Sequence, residues 1–372
     1  MLNILLIAGE VSADQHGADL IRELKAGQNV SAFGVGGDAL AEQGMEILVH
    51  LEKMAFMGVS EVLRHLPFIR NVQKQLLNET EVRKPDLAIL IDYPGFNLRM
   101  AGALKKAGIP VIYYISPKVW AWGGGRIKKI QKCVDLMLVL FPFEEKFYKK
   151  YNVPVRYVGH PLVDKQHAYL PDKNIAFDPE NARLGILPGS RRQEVVSLLS
   201  KMLETARVLY ENGNIKSAEI LKVPNLPIKL YHDLMQDTDT FISIAEKPMH
   251  KALPEYDAAI VASGTATLET GYFAVPMIIV YQVNTLTYLL ARMFVKITHV
   301  GLVNIVAEKG VAKEFIQDDF TTDAAVKELQ RLLDVKERKK VKNELFKVQQ
   351  KLGRPGASKR AAEAIWEFIN EC

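Results

Sequence analysis

Short β-rich runs, candidate strands, recur along the chain at 3–8, 30–35, 86–91, 110–115, 134–140, 183–187, 217–223, 240–244, 257–261 and 277–281. Several are apolar at every position, as strands covered on both faces must be. Stretches with helical periodicity lie between them. This alternation predicts parallel sheets joined by right-handed helical crossovers. It pauses between Gly159 and Arg183, a polar stretch punctuated by Pro161, Pro171 and Pro179, which reads as a linker. The expected organisation is an N-terminal domain over 1–165 and a C-terminal domain over 166–354. Residues 321–371 read as helical with a break at Gly353-Arg-Pro-Gly356, and the segment 355–372 is expected to pack back on the first domain. The predicted fold class is α/β, with two Rossmann-like doubly wound domains facing a cleft. Ligands of such sheets bind at the carboxyl ends of the strands.

Composition narrows the function classes. The 372 residues carry 48 Lys and Arg against 43 Asp and Glu, a formal charge of +5. That excess tolerates anionic ligands, and no stripe of interleaved basic and aromatic residues points to nucleic acid. Cys133 and Cys372 form neither a CxxC nor a ligand cluster, so a reducing compartment is expected. Met1–Glu10 reads as a first strand and not as a signal peptide. The apolar stretch 286–306 is interrupted by Arg292, Lys296 and His299, so it is not expected to span a membrane. The expectation is a cytoplasmic protein able to lie on a membrane.

Two loops in the second half carry the clearest chemistry. Ile186–Glu194 (ILPGSRRQE) and Ala262–Glu269 (ASGTATLE) each follow an apolar run and open a helical pattern. Such turns present main-chain N–H groups and the positive end of a helix dipole, a place for phosphate. Gly189, Ser190, Ser263, Gly264 and Thr265 supply the turns. Arg191 adds a guanidinium suited to a diphosphate. Glu269, about one turn into its helix, can accept from ribose hydroxyls. Together they read as a nucleotide-diphosphate cradle without a Walker lysine. No Asp-x-Asp motif or His cluster suggests a metal, and no cofactor is expected.

The first half offers candidates at strand tips. Glu10, Ser12 and Asp14 follow the first strand, where a helix cap is an equal reading. Asp92 ends the apolar run 86–91; a carboxylate there is partly desolvated, hence more basic. Trp120 and Trp122 sit in a loop after a strand, where they either stack on a sugar or plug the core. In 54–77, Met54, Phe56, Met57, Val59, Val62, Leu63, Leu66 and Ile69 form an apolar stripe beside Arg64, Arg70 and Lys74. That pattern suits a lipid-facing helix, with a core-facing amphipathic helix as the alternative.

Taken in order, AGEVSAD (8–14), IDYPGFN (91–97), SPKVWAW (116–122), FPFE (141–144), GHP (159–161), LPGSRRQE (187–194), ASGTATLE (262–269) and HVGLVN (299–304) resemble the lipid-A-disaccharide synthase family over nearly the whole chain. The resemblance implies a two-domain GT-B glycosyltransferase at the inner face of the inner membrane. Its substrates would be UDP-2,3-diacylglucosamine and 2,3-diacylglucosamine 1-phosphate, its products the β-1′,6-linked disaccharide 1-phosphate and UDP. It also implies Asp92 as the catalytic carboxylate, Arg191, Glu269 and Asn304 at the donor, and Ser12 in the active site. Another UDP-sugar enzyme on this scaffold, such as a peptidoglycan-type N-acetylglucosaminyl transferase or a UDP-sugar 2-epimerase, is the rival. A homodimer stays open.

Overall fold

The computed structural model describes residues 1–54, 65–120, 124–171, 177–282 and 298–371. The chain divides into two compact units, Met1–Asp164 with Gly353–Cys372, and Lys165–Leu352.

In the first unit the strands are β1 (Leu2–Ala8), β2 (Val30–Gly36), β3 (Glu46–His50), β4 (Leu87–Ile91), β5 (Val111–Tyr114), β6 (Leu136–Val139) and β7 (Val155–Tyr157). Among the described residues they form one parallel sheet in the order β3-β2-β1-β4-β5-β6-β7. β1, β4, β5 and β6 are buried almost throughout, which is why their sequences lack polar alternation. The order reverses between β1 and β4, so the loops after these two strands flank the crevice of a doubly wound sheet. Asp164 ends the unit's first segment, and its carboxylate accepts from the N–H groups of Gly356, Ala357 and Ser358. That capping starts the last helix, Ala357–Glu371, which packs on the helix Val11–Gly27.

In the second unit the strands are β8 (Arg183–Leu187), β9 (Ser217–Leu221), β10 (Ile242–Ala245), β11 (Ala258–Ala262), β12 (Met277–Tyr281) and β13 (Lys313–Ile316). Among the described residues they form a parallel sheet in the order β10-β9-β8-β11-β12-β13. Its switch point lies between β8 and β11. Both phosphate-loop candidates follow those two strands.

Part of the expected linker is ordered as a helix, Pro161–Gln166, followed by the 3-10 turn His167–Tyr169. Pro161 starts it, since a first-turn residue needs no N–H partner. β3, β7 and β13 were not foreseen. Each is short, only partly buried and at a sheet edge.

Candidate active site

In the first unit Asp92 stands just past the carboxyl end of β4. Asp92 and Tyr93 both adopt left-handed backbone, φ 45° and 46°, which non-glycine residues hold only when their surroundings enforce it. Here the surroundings do so. Tyr113 donates its hydroxyl to the Asp92 carbonyl at 2.6 Å. Asn97 donates from Nδ2 to the carbonyls of Asp92 at 2.8 Å and Ile91 at 3.1 Å. Tyr93 reaches the carbonyl of Met54 at 3.0 Å, and its ring lies where a Cβ on Gly9 would come within 2.6 Å. Gly9 of the first motif is therefore small because Tyr93 of the second packs on it. Burial, then the neighbouring Glu10 charge, pushes the Asp92 carboxyl up to about 6, with Lys118 pulling the other way. Asp92 is an anion at neutral pH with the basicity of an imidazole.

Glu10 and Ser12 are exposed at the same end of the sheet. Asp14 is not available to a ligand. It is 4% exposed, and it accepts from the N–H groups of Gly37, Ala39 and Leu40, closing the loop after β2. Trp120 is half-buried, with its ring edge-on to Phe143 and its indole N–H donating to Glu144 at 3.1 Å. Glu144 is the hub that sequence reading missed. Its buried carboxylate also accepts from Ser116 Oγ and from the N–H groups of Leu140 and Phe141. Desolvation pushes its carboxyl up, and these donors oppose that. FPFE thus fastens SPKVW to the sheet.

The stripe expected to face lipid divides. Met54 and Ile69 lie in the hydrophobic core of the first unit, where Met54 is wholly inaccessible, so these two do not meet a membrane. Leu66 is half-buried at the start of the helix Leu66–Arg83. Phe56, Met57, Val59, Val62, Leu63 and Trp122 lie outside the described residues.

In the second unit Gly189, Ser190, Arg191, Ser263, Gly264, Thr265 and Glu269 line one cavity of about 730 Å³. The two loops differ in what they offer. Glu194 folds back over the first, accepting from the N–H groups of Ser190 at 3.0 Å and Arg191 at 3.2 Å. This capping box already occupies the amides expected to face phosphate. It requires Gly189, whose φ is 110° and where a Cβ would meet the Glu194 carboxylate at 2.5 Å. The second loop is open. Among the described residues no acceptor meets the N–H groups of Gly264 and Thr265, at the start of the helix Thr265–Tyr272. Arg191 is largely exposed at the cavity wall and makes a 3.3 Å contact to Glu194.

Glu269 accepts from Gln166 Nε2 at 2.6 Å. Burial pushes its carboxyl up and the Gln166 bond moderates that. Asn304 does not line the cavity and is wholly buried. Its amide donates to Ala312 and Glu314 and accepts from the N–H groups of Val311 and Ala312, so no group is left for a ligand. Its work is to hold the turn before β13. The opposite wall comes from residues that sequence reading passed over: Lys222, Val223 and Pro224 after β9, and Glu246 and Met249 after β10. Lys222 carried a signal, being charged at the tip of an apolar strand, as Asp92 is. Among the described residues no three His, Cys, Asp or Glu side chains converge as metal ligands would.

A model of the family described as Lipid-A-disaccharide synthetase matches residues 4–368. Lipid-A-disaccharide synthase of Geobacter sulfurreducens is 38% identical, the match covering 99% of this chain and 97% of that one. The enzyme of the same name from Syntrophus aciditrophicus is 40% identical, covering 99% and 98%. Among solved structures, UDP-GlcNAc 2-epimerase from Neisseria meningitidis bound to UDP-GlcNAc superposes with a TM-score of 0.66 at 13% identity, over 98% of this chain and 100% of that one. A glycotransferase of kitacinnamycin gives 0.65 at 16%, over 98% of each chain. At such identity these two likenesses speak for the fold alone.

Proposed function

The chain belongs to the lipid-A-disaccharide synthetase family, a glycosyltransferase family that forms the lipid A disaccharide from a UDP-sugar donor and a lipid-sugar acceptor, and from that premise we propose how its residues divide the work. The donor is UDP-2,3-diacylglucosamine, and the acceptor is 2,3-diacylglucosamine 1-phosphate. Asp92 takes the proton from the acceptor's 6-hydroxyl as that oxygen attacks C1 of the donor. The C1–O bond to UDP breaks in the same step, so the α-linked donor gives a β-1′,6 link by a single inversion. A base whose carboxyl sits near 6 is ionised at neutral pH yet strong enough to accept a proton in the transition state.

UDP leaves with growing negative charge. The free N–H groups of Gly264 and Thr265, at a helix start, and the Arg191 guanidinium are groups that can meet it. Glu269 holds the ribose hydroxyls and does no chemistry. No step in this scheme needs a metal or cofactor.

The observation that supports the donor site most directly is the convergence of both glycine-bearing loops and Glu269 on one cavity. Among the described residues no helix is long and apolar enough to cross a membrane. Both substrates nevertheless carry acyl chains, so we place the enzyme peripherally on the inner face of the inner membrane. The test is release of UDP from purified enzyme given donor and acceptor separately and together. UDP released only with both supports transfer; release from the donor alone, without disaccharide, overturns it.

A further inference from the structure

The far wall of the donor cavity contains a buried charge that the scheme above does not use. Lys222 is 7% exposed and follows β9; Glu246 follows β10. The parallel register pairs Leu221 with Ala245, so Lys222 and Glu246 are the next step of the same ladder, side by side at two strand tips. Lys222 Nζ donates to Glu246 Oε2 at 2.8 Å and to the carbonyl of Val223 at 3.1 Å. An ammonium has three protons to donate, so one has no acceptor among the described residues. Glu246 is 54% exposed, and its Oε1 has no donor among them. A buried lysine held by a half-exposed carboxylate is poor value for stability alone, since an apolar side chain of similar volume fills such a place as well. Both groups line the cavity.

We propose that Lys222 and Glu246 form the edge of this cavity that reads the nucleobase, selecting uracil over cytosine. The inference rests on the reading of the cavity as the UDP site. The anion-binding groups, Gly264, Thr265 and Arg191, follow β11 and β8. The β9 and β10 tips offer instead apolar Val223, Pro224 and Met249 around this pair, while Lys247, the other charged residue of that wall, is held by Glu219 and Glu255. That is the chemistry of a flat ring, with apolar faces and a polar edge. Uracil presents O4 as an acceptor beside N3–H as a donor. The free Lys222 proton meets O4, and Glu246 Oε1 accepts from N3–H. Cytosine reverses both: its amino group would face the ammonium, and its N3 lone pair the carboxylate. Both contacts then become repulsive, which is how a site rejects a near-isostere.

The experiment is titration calorimetry of the full chain with UDP and with CDP. Wild type is expected to prefer UDP by about 30-fold or more, the scale of losing a hydrogen bond to a charged group. Lys222→Met should weaken UDP about tenfold or more and, by removing a repulsive contact, should not weaken CDP, so the preference collapses. Lys222→Arg keeps the donor and most of the preference. Glu246→Gln, whose amide can donate to N3 of cytosine, should narrow the gap by improving CDP; it tests the pair even if Lys222→Met does not fold. Wild type binding UDP and CDP equally, or a full preference surviving in either Lys222→Met or Glu246→Gln, overturns the inference while the cavity remains the UDP site. Failure of wild type to bind UDP overturns the cavity reading and this inference with it.

Discussion

The phenol of Tyr113 donates a 2.6 Å hydrogen bond to the main-chain carbonyl of Asp92, from the strand next to the one Asp92 terminates. The bond acts on the backbone and leaves the carboxylate free. Together with Asn97 it holds two successive left-handed residues, a conformation costing on the order of 1–3 kcal/mol per residue. Removing the hydroxyl should therefore misplace the base without changing its chemistry. Tyr113→Phe is expected to lower kcat about three- to tenfold and stability by about 1 kcal/mol, with the donor KM little changed. Steady-state kinetics and denaturant unfolding check this; an unaltered kcat would separate the backbone conformation from catalysis.

Asp92 itself gives two linked predictions. As the base it must be ionised, so activity should rise with pH through about 6 and level off above it. Stability should run the other way. The folded chain holds this proton more tightly than the unfolded chain, where the ordinary value is 3.8. The favourable contribution is complete below that ordinary value and is lost as pH rises through about 6. Asp92→Asn removes the ionisation. It should abolish turnover, preserve UDP binding, and gain about 3 kcal/mol over wild type at pH 8, with the gain vanishing toward pH 4. Unfolding curves at the two pH values decide it, and near-normal turnover in the variant would remove Asp92 from the mechanism.

What the sequence made legible follows burial. Strands covered on both faces, such as Leu87–Ile91 and Ala258–Ala262, announce themselves as unbroken apolar runs. The edge strands Glu46–His50, Val155–Tyr157 and Lys313–Ile316 do not, because an edge needs few apolar residues. The glycine-bearing loops were legible because a turn from strand to helix restricts residue type. Which of their amides are free was not, because that depends on Glu194 folding back over Ser190 and Arg191. Asp14 and Asn304 look like site residues in a string of letters. Asp14 caps main-chain N–H groups in the loop after the next strand, and Asn304 is consumed by the turn that follows its own helix; neither turn's closure can be read from the letters alone. Glu144 was hidden for the same reason: its partners Ser116 and Trp120 lie on another loop.

The first phosphate loop can be tested through Arg191 and Gly189 separately. Arg191 is exposed and weakly held, so Arg191→Ala should leave stability nearly unchanged and weaken UDP about tenfold or more, as loss of a charge-assisted bond to diphosphate does. Gly189→Ala forces a side chain into left-handed backbone and against the Glu194 carboxylate. It should destabilise the second unit by about 1–3 kcal/mol as well as weakening UDP. Calorimetry with thermal unfolding separates the two effects. Unchanged UDP affinity in Arg191→Ala would take the guanidinium out of the donor site.

Glu144 offers the sharpest test of how the first unit is held together. Its buried carboxylate accepts from two side chains, Ser116 and Trp120, and from two main-chain N–H groups, Leu140 and Phe141. Glutamine keeps the shape but replaces one acceptor oxygen by an NH₂ donor. That donor must face either the main-chain pair, which can only donate, or Ser116 and Trp120, where the Ser116 hydroxyl can turn to accept but the Trp120 N–H cannot, so at least one donor loses its acceptor. Glu144→Gln should cost about 2–4 kcal/mol, more than a single neutral hydrogen bond, because donors are left unpaired in the interior. Ser116→Ala removes one bond and should cost about 1 kcal/mol. If Glu144 couples the two loops, the Glu144→Gln and Ser116→Ala costs should fall short of additive in the double variant, while Glu144→Gln combined with a distant change such as Arg191→Ala should add. Denaturant unfolding of the single and double variants measures the coupling, and strict additivity with Ser116→Ala would mean that Glu144 does not fasten that loop.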